Sequence, residues 1–298
     1  MISMIDSISA VFHKNIHIME GIDKAIIATR EGDYERAILY VGEVSEDITY
    51  VADSIMKHRD YFELVSVDSV AEMLEGILDA KHKQDFVLLA DLLELQMESF
   101  ICNVQNYIMN KEDLFVYEEE VYQTQIHLLL NKMKNAKDFE HDYTEELNPS
   151  SLLEKGYRVE FSSCGLMTLV ATDDQNIARY LHTNHKISQE AFLLARSWTN
   201  QQVSAYCVFG MGLGYHVQQL IKLVPNAKIE IYEGDMNILK LCCAFSNIED
   251  VLSSPNVEIY YDPDYQIWNQ RTTQLPADAK ACIHYPSYYR CTNFQPKG

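Results

Sequence analysis

VFGMGLGYHVQQLIKLVPNAKIEIYEGD, residues 208–235, is the most informative segment in the second half of the chain. The apolar run 206–209 is typical of a buried strand. Three glycines at alternate positions follow it, and apolar residues then recur at helical spacing until Pro225 ends the pattern. A second apolar run, 229–232, leads to Glu233. This order predicts one βαβ unit, which commonly binds a nucleotide or a nucleotide-like cofactor.

Gly210, Gly212 and Gly214 are the predicted ligand-facing part of this unit. A strand that turns sharply into a helix needs backbone angles that only glycine adopts at low cost, and the helix N-terminus offers N–H groups to a phosphate. Glu233 is predicted to accept hydrogen bonds from a ribose, and Asp262, just past the next strand, to contact a base or sugar. The alternatives are a turn that serves packing alone for the glycines and a turn residue for Asp262.

The charge is concentrated in the first half of the chain. The net charge of −20 divides into −18 over residues 1–150 and −2 over residues 151–298. Such an acidic half repels nucleic acid and anionic membranes, so neither is expected as a partner. The apolar runs are shorter than the roughly 20 residues of a membrane span, and the first residues lack the pattern of a signal peptide. These features predict a cytoplasmic protein.

The cysteine and histidine patterns predict no metal site. The seven cysteines include no CxxC pair, so they form a poor disulfide framework and a poor zinc site, and they are expected to be buried thiols in a reducing compartment. The acidic half contains several histidines but lacks the paired Glu-x-x-His arrangement of di-iron bundles.

Residues 1–148 are predicted to form an acidic, all-α helical bundle domain. Apolar residues recur every three or four positions, glycine is rare, and the first proline is Pro149. Gly32-Asp33 predicts a helix stop followed by an N-cap. The predicted helices cover residues 5–26, 34–57, a third from the capping box Ser69–Glu72, 89–108 and 118–136.

Residues 149–298 are predicted to form a Rossmann-like α/β core with a parallel sheet, preceded by a short capping box at residues 151–154 and a β-hairpin. Few residues remain after the last predicted strand, so we expect the sheet to be minimal or truncated and favour a fragment of a longer protein. The predicted elements are hairpin strands 158–162 and 166–172, a helix at 188–198, the βαβ unit, a helical region at 236–252, and strands at 257–261 and 281–285.

Two motifs of this half resemble those of a known family. YLHTNHKISQEA, residues 180–191, is followed at a short distance by VFGMGLGYH, residues 208–216, and then by a strand that ends in Glu233. IHYPSY, residues 283–288, also looks like part of that core. Over residues 157–290 the chain resembles the motility accessory factor family, bacterial flagellin glycosyltransferases whose core is shared with 6-hydroxymethylpterin pyrophosphokinase-like proteins.

The resemblance implies a glycosyltransferase that binds a nucleotide-sugar donor and no tightly bound cofactor. It implies a CMP-linked nonulosonic acid as the donor and serine or threonine of flagellin, or of another protein, as the acceptor. His182, Glu190 and His216 are then the candidate catalytic residues, which contact the sugar or remove a proton from the acceptor hydroxyl.

Two other functions stay open. The spacing GxGxG, rather than GxGxxG, also suits an S-adenosylmethionine-dependent methyltransferase, with Glu233 and Asp262 as cofactor contacts. That alternative lacks the (N/D)PP(Y/F) loop after the fourth strand, where residues 284–287 read HYPS. The third function is a non-catalytic interaction protein with a degenerate nucleotide-binding fold.

Overall fold

A computed structural model describes residues 4–63, 65, 67–111, 119–135, 155–172 and 177–291. The chain divides into a helical unit, Met1–Leu114 with Phe161–Leu166, and an α/β unit, Phe115–Glu160 with Met167–Gly298. The expected domain boundary after residue 148 and the capping box at 151–154 lie outside the described residues. Within those residues, no helix has the length and apolarity needed to cross a membrane.

Helices make up the first unit, as its apolar spacing predicts. Gly32, with φ +77°, ends the first helix, and the side chain of Asp33 accepts a hydrogen bond from the amide of Arg36, so the predicted stop and N-cap are confirmed. The elements are α1 (Met4–Arg30), α2 (Tyr34–Glu43), α3 (Ser45–Lys57), α4 (Val67–Lys83), α5 (Phe86–Asp91), a π-helical segment (Leu92–Met97) and α6 (Glu98–Lys111).

Three boundaries differ from the sequence prediction. The return helix expected over residues 34–57 is interrupted at Val44, which is buried between α2 and α3. Helix α4 begins at Val67, so Ser69 lies inside its first turn and is not the N-cap. The long helix expected from Leu89 contains the π-helical segment, and this wider turn changes which later residues lie on the same face of the helix.

The core of the helical unit is apolar and contains a group of buried side-chain hydrogen bonds around Gln105. Apolar side chains of α1, α3, α4, α5 and α6 form one buried cluster that includes Cys164. Within it, Gln105 donates to the carbonyls of Phe12 (3.0 Å) and Cys164 (3.2 Å) and accepts from Asn15 (3.1 Å). These bonds satisfy buried backbone carbonyls and fasten the segment 161–166 to this unit.

The α/β unit begins with a helix, α7 (Glu119–Lys132), that sequence reasoning assigned to the bundle. Its buried Gln125 donates to the carbonyls of Cys243 (2.7 Å) and Ser246 (2.9 Å) and accepts from the amide of Ile248 (2.8 Å). The later helices are α8 (Ile187–Trp198), α9 (Tyr215–Leu223), α10 (Met236–Phe245), α11 (Glu249–Ser253), α12 (Gln266–Thr273) and α13 (Tyr285–Arg290).

Four parallel strands form the main sheet of this unit. They are β4 (Ala205–Phe209), β5 (Lys228–Glu233), β6 (Val257–Tyr261) and β7 (Ala279–Ile283), in the order β6-β5-β4-β7. Val208 of β4 is paired with Ile231 on one side and Cys282 on the other. The chain therefore moves outward from β4 to β6 and then returns to the far side of β4, so the strand order reverses beside β4. This parallel α/β architecture confirms the predicted fold class at that level.

A second, three-stranded sheet has the order β1-β2-β3. Its strands are β1 (Tyr157–Phe161), β2 (Met167–Thr172) and β3 (Ala178–Tyr180). The first two are joined through a turn in which Ser162 donates its amide to the Leu166 carbonyl (2.8 Å) and Gly165 has φ +87°. The predicted hairpin is thus confirmed, whereas β3 and helices α12 and α13 were not predicted. The strand expected over 281–285 is Ala279–Ile283, and Tyr285 already begins α13.

Candidate functional site

The glycine turn lies at the carboxyl end of β4, where the strand order reverses. Gly210, Gly212 and Gly214 have φ values of +87°, +51° and +81°. These left-handed angles explain why glycine occupies each alternate position. Ligands of open α/β sheets bind in the crevice at such a reversal, outside the carboxyl ends of the strands.

Most amides described for this turn are already hydrogen-bonded within the protein. The bonds run from Gly210 N to Tyr232 O (2.8 Å), Met211 N to Glu233 Oε2 (2.8 Å), Leu213 N to His182 Nε2 (2.8 Å) and Gly214 N to Met211 O (2.9 Å). The turn residues themselves are buried. In this conformation the turn is a closed element, and a phosphate would have to displace protein acceptors to reach these four donors.

Glu233 completes the turn and does not face an open crevice. Its side chain is buried, and its two oxygens accept from the amides of Met211 (2.8 Å) and Asp235 (3.0 Å). Burial, followed by the charge of Asp235, raises the pKa of Glu233 to about 7. The residue expected to bind a ribose therefore ties the end of β4 to the end of β5.

Three buried histidines lie against the turn. His182 precedes α8, His216 is in the first turn of α9, and His284 follows β7. The ring centroids of His216 and His284 are 4.3 Å apart with an interplanar angle of 8°, and those of His182 and His284 are 5.2 Å apart. Ring nitrogens of all three lie within 4.8 Å of one another. Sequence reasoning selected two of these residues and missed His284.

One nitrogen of each ring faces an acceptor outside the cluster. His216 Nε2 lies 3.1 Å from the carbonyl oxygen of Gly210, His284 Nδ1 lies 2.7 Å from Ser287 Oγ, and His182 Nδ1 lies 3.8 Å from Glu190 Oε1. Of the remaining nitrogens, His182 Nε2 accepts from Leu213, whereas His216 Nδ1 and His284 Nε2 are buried with no hydrogen-bond partner in the described part of the chain.

Burial weakens the basicity of two of these rings. Burial first, and then the neighbouring His182, lowers the pKa of His216 to about 3. Burial and the other two rings hold the pKa of His284 well below its usual value, while the Leu181 carbonyl acts in the opposite sense. Both imidazoles are neutral at physiological pH. His216 is therefore a weak proton acceptor in this conformation, contrary to the role expected for it.

Glu190 is the predicted catalytic residue that stays accessible. Its side chain is 36% exposed, and one oxygen accepts from the amide of Thr183 (3.0 Å) while the other lies 3.8 Å from His182 Nδ1. The structure thus brings together the two ends of the predicted motif, His182 and Glu190, at the start of α8. A partly exposed carboxylate in this position can accept a proton or a sugar hydroxyl.

Asp262 accepts hydrogen bonds from the first turn of helix α12. It is buried, and its two oxygens accept from the amides of Ile267 (3.2 Å) and Trp268 (2.7 Å) in the first turn of α12. Burial is the largest cause of its raised pKa. The structure supports the helix-starting turn residue over the base or sugar contact for Asp262.

A charged group near the same strand ends was missed by sequence reasoning. Arg290 of α13 donates to the carboxylate of Asp235 and to the hydroxyl of Tyr157 (2.9 Å), and the hydroxyl of Tyr157 donates to Asp235. Asp235 also accepts from the amide of Asn237 (2.9 Å) and so caps α10. These contacts join β1 to the ends of β5 and β7, and only the cap has a local sequence signal.

Comparison with known proteins adds no relative to this picture. Neither protein-family models, nor curated proteins, nor solved structures gave a match to the chain.

Proposed function

We propose that the α/β unit is a Rossmann-like core that binds the nucleotide part of an activated sugar and transfers the sugar to a hydroxyl of a protein such as flagellin. One observation carries the proposal: the glycine turn stands beside the reversal of strand order between β4 and β7. Crevices at such reversals are the usual ligand sites of open parallel sheets. The resemblance to the motility accessory factors gives the reaction class and a CMP-linked nonulosonic acid as the donor.

Side chains at this edge of the sheet suit such a ligand. Tyr285 and Tyr289, on the helix that follows β7, are 55% and 61% exposed, with ring centroids 6.2 Å apart. Exposed aromatic faces stack on nucleobases. Glu190, at the start of α8, is the accessible acid that we assign as the base toward the acceptor hydroxyl. In this assignment Glu233 stabilises the glycine turn and does not bind the ribose.

We also propose a cytoplasmic location. The structure describes seven free thiols, two in the helical unit (Cys102 and Cys164) and five in the α/β unit, and five of the seven are buried. Free thiols persist in a reducing compartment. Nucleotide sugars are the donors expected to be available there.

A second candidate is a non-catalytic interaction protein with a degenerate nucleotide-binding fold. One observation favours it: the turn amides described above already donate to protein acceptors, including His182 and Glu233. A turn closed in this way functions as a packing element unless a ligand opens it. Binding measurements separate the two candidates.

The test is a thermal-shift and calorimetric screen of the full chain against CMP, UDP and GDP, their sugars, and S-adenosylhomocysteine. The proposal expects CMP or a CMP-sugar to raise the melting temperature, because a ligand that binds the folded state stabilises it. Tyr285→Ala should weaken this shift. Tyr34→Ala, which changes a 42% exposed tyrosine of the helical unit, is the control and should retain it.

Each other result supports an alternative. Binding of S-adenosylhomocysteine without any nucleotide would support the methyltransferase. A screen in which no compound binds would refute the proposal and support the non-catalytic protein.

A further inference from the structure

The three buried histidines converge from separate parts of the chain. His182, His216 and His284 are 2%, 1% and 1% exposed; the first lies between β3 and α8, the second in the first turn of α9 and the third just after β7. Side chains so placed are brought together only by the fold. Buried polar groups normally form hydrogen bonds, so buried ring nitrogens without a partner in this cluster are unusual.

Two of these nitrogens are not satisfied by the described residues. The carbonyl of Gly210 can only accept, so His216 Nε2 carries its proton and the ring presents a bare Nδ1 lone pair. That atom is buried with no hydrogen-bond partner among the described residues, and His284 Nε2 has none of normal length and angle, although the Leu181 carbonyl lies near that ring. A buried polar atom left in this state destabilises the folded protein. A bound cation would use the lone pairs.

We propose that His182, His216 and His284 bind one transition-metal ion of the zinc class. Their ring nitrogens lie within 4.8 Å of one another. Imidazole nitrogen suits zinc, copper, iron and nickel, and three histidines with one further open position are a known ligand set of zinc. In the sequence, neither the seven cysteines nor the histidines of the first half of the chain indicated a metal site.

The contacts around the rings support this assignment. A histidine that binds a metal usually donates its other N–H to a carboxylate, a carbonyl or a similar acceptor, which fixes the ring. Two rings have such a partner, the Gly210 carbonyl 3.1 Å from His216 and the Ser287 hydroxyl 2.7 Å from His284. The Glu190 carboxylate lies 3.8 Å from His182 Nδ1, beyond hydrogen-bond distance in this conformation but on the side of the ring where such a partner is needed. Glu190 also supplies negative charge next to the proposed ion.

Gly212 lets the rings pack closely against the turn. A Cβ at this position would lie 2.7 Å from His182 Nε2 and 3.3 Å from His284 Cε1. The rings therefore occupy the place that the side chain of any other residue would need. This explains the residue type at Gly212 without a phosphate.

Binding would change the geometry of the cluster in a defined way. Metal–nitrogen bonds of about 2.0–2.1 Å place ligand nitrogens about 3.4 Å apart in a tetrahedral site, so the rings must move inward. A lone pair lies in the plane of its ring, and the parallel rings of His216 and His284 must therefore turn toward each other. His182 must also exchange the Leu213 amide for the ion if it uses Nε2.

The test uses the full chain after dialysis against EDTA, with Co²⁺ as the probe and Zn²⁺ as the competitor. We expect one equivalent of Co²⁺ to give visible absorption bands of a nitrogen-ligated site without thiolate charge-transfer bands, and Zn²⁺ to displace it. His216→Gln and His284→Gln should abolish this equivalent. His185→Gln, which changes a neighbouring exposed histidine, is the matched control and should retain it.

A milder variant keeps the test decisive if a histidine variant fails to fold. Ser287→Ala removes only the hydroxyl next to His284 Nδ1 and should weaken Co²⁺ binding about 10–100-fold. The proposal is overturned if the wild-type chain binds no Co²⁺, if thiolate bands appear, or if Ser287→Ala and a folded His284→Gln bind as tightly as wild type. None of these measurements involves a nucleotide, so the outcome is independent of the proposed function.

Discussion

Replacement of Gly212 by alanine is expected to destabilise the α/β unit strongly. Gly212 has φ +51°, a conformation that side chains rarely adopt. The added Cβ would lie 2.7 Å from His182 Nε2 and 3.3 Å from His284 Cε1. Both rings are buried, so neither can move away into solvent. The substitution therefore combines backbone strain with overpacking.

The magnitude follows from these two effects. A non-glycine residue in the left-handed region costs about 1–2 kcal/mol. Overpacking of a well-packed interior costs about 1–3 kcal/mol. The rings cannot relax freely, because His182 is held by the Leu213 amide and His284 by Ser287. The free energy of unfolding of the α/β unit should thus fall by about 2–5 kcal/mol.

Tryptophan fluorescence during urea unfolding measures this unit alone. The chain has two tryptophans, Trp198 and Trp268, and both are buried in the α/β unit. Gly32→Ala is the control for backbone strain: Gly32 has φ +77°, and a Cβ there meets no atom within 4 Å. It lies in the helical unit, so its cost of about 1–2 kcal/mol should appear in ellipticity at 222 nm and not in tryptophan fluorescence.

A small effect of Gly212→Ala would contradict this account of the packing. If Gly212→Ala lowers the free energy of unfolding by no more than Gly32→Ala does, the rings of His182 and His284 do not pack against the turn as described. The space beside Gly212 would then be larger than the structure indicates, and the explanation of its residue type would be wrong.

Three further predictions follow from buried polar groups and a helix cap. Burial raises the pKa of Glu233 to about 7, so the folded state retains a proton that the unfolded chain releases above its ordinary pKa of 4.5. The free energy of unfolding, followed by tryptophan fluorescence, should therefore fall by about 3 kcal/mol as the pH rises from about 4.5 to above 7. Glu233→Gln should flatten this dependence. An unchanged pH dependence in that variant would mean that Glu233 is not the group that titrates. Gln105→Leu should destabilise the helical unit by about 2–4 kcal/mol in the 222 nm transition, because it leaves the buried Cys164 carbonyl without its Gln105 donor and the Asn15 side-chain amide without its Gln105 acceptor. A neutral effect would mean that water replaces the amide. Asp33→Ala should cost about 1 kcal/mol in the same transition through loss of the α2 cap, and Asp33→Asn should restore most of it.

Elements with a strong local pattern could be predicted from the sequence. The glycine turn, β6 and the Asp33 cap each depend on residues close together in the chain, and the structure has them where they were expected. The π-helical segment had a signal that was missed: buried residues at positions 89, 93, 97 and 101 recur at steps of four. Four residues exceed one α-helical turn of 3.6, so a wider turn is needed to keep them on one face.

The remaining elements lacked such a signal. Strand β3 has three residues, and α12 contains few apolar residues among polar ones, so neither reaches the length at which periodicity is informative. Helix α7 was predicted as a helix but was assigned to the helical unit, because the apolar spacing of a helix does not indicate against which core the helix packs. Its partner is given by Gln125, whose bonds reach residues more than one hundred positions later.

The histidine cluster could not be predicted either, because its members are distant in the sequence. His284 is a single histidine after a strand, and nothing in its neighbourhood distinguishes it from a packed residue. It joins His216 only because β7 returns to the side of β4 opposite β5. Glu233 illustrates the converse: its local pattern predicts a ribose acceptor, and only the fold shows that its oxygens also accept from the amides of Met211 and Asp235.

The closed glycine turn and the histidine cluster share one hydrogen bond, from the Leu213 amide to His182 Nε2. A metal ion that takes this nitrogen releases the amide, and a released amide at the start of a helix is a donor for a phosphate. Metal and nucleotide then favour each other's binding, because coupling between two sites is reciprocal. The rise in melting temperature caused by a nucleotide should accordingly be larger with one equivalent of Zn²⁺ than after treatment with EDTA. An equal rise in both conditions would mean that the bond between Leu213 and His182 does not control access to the turn.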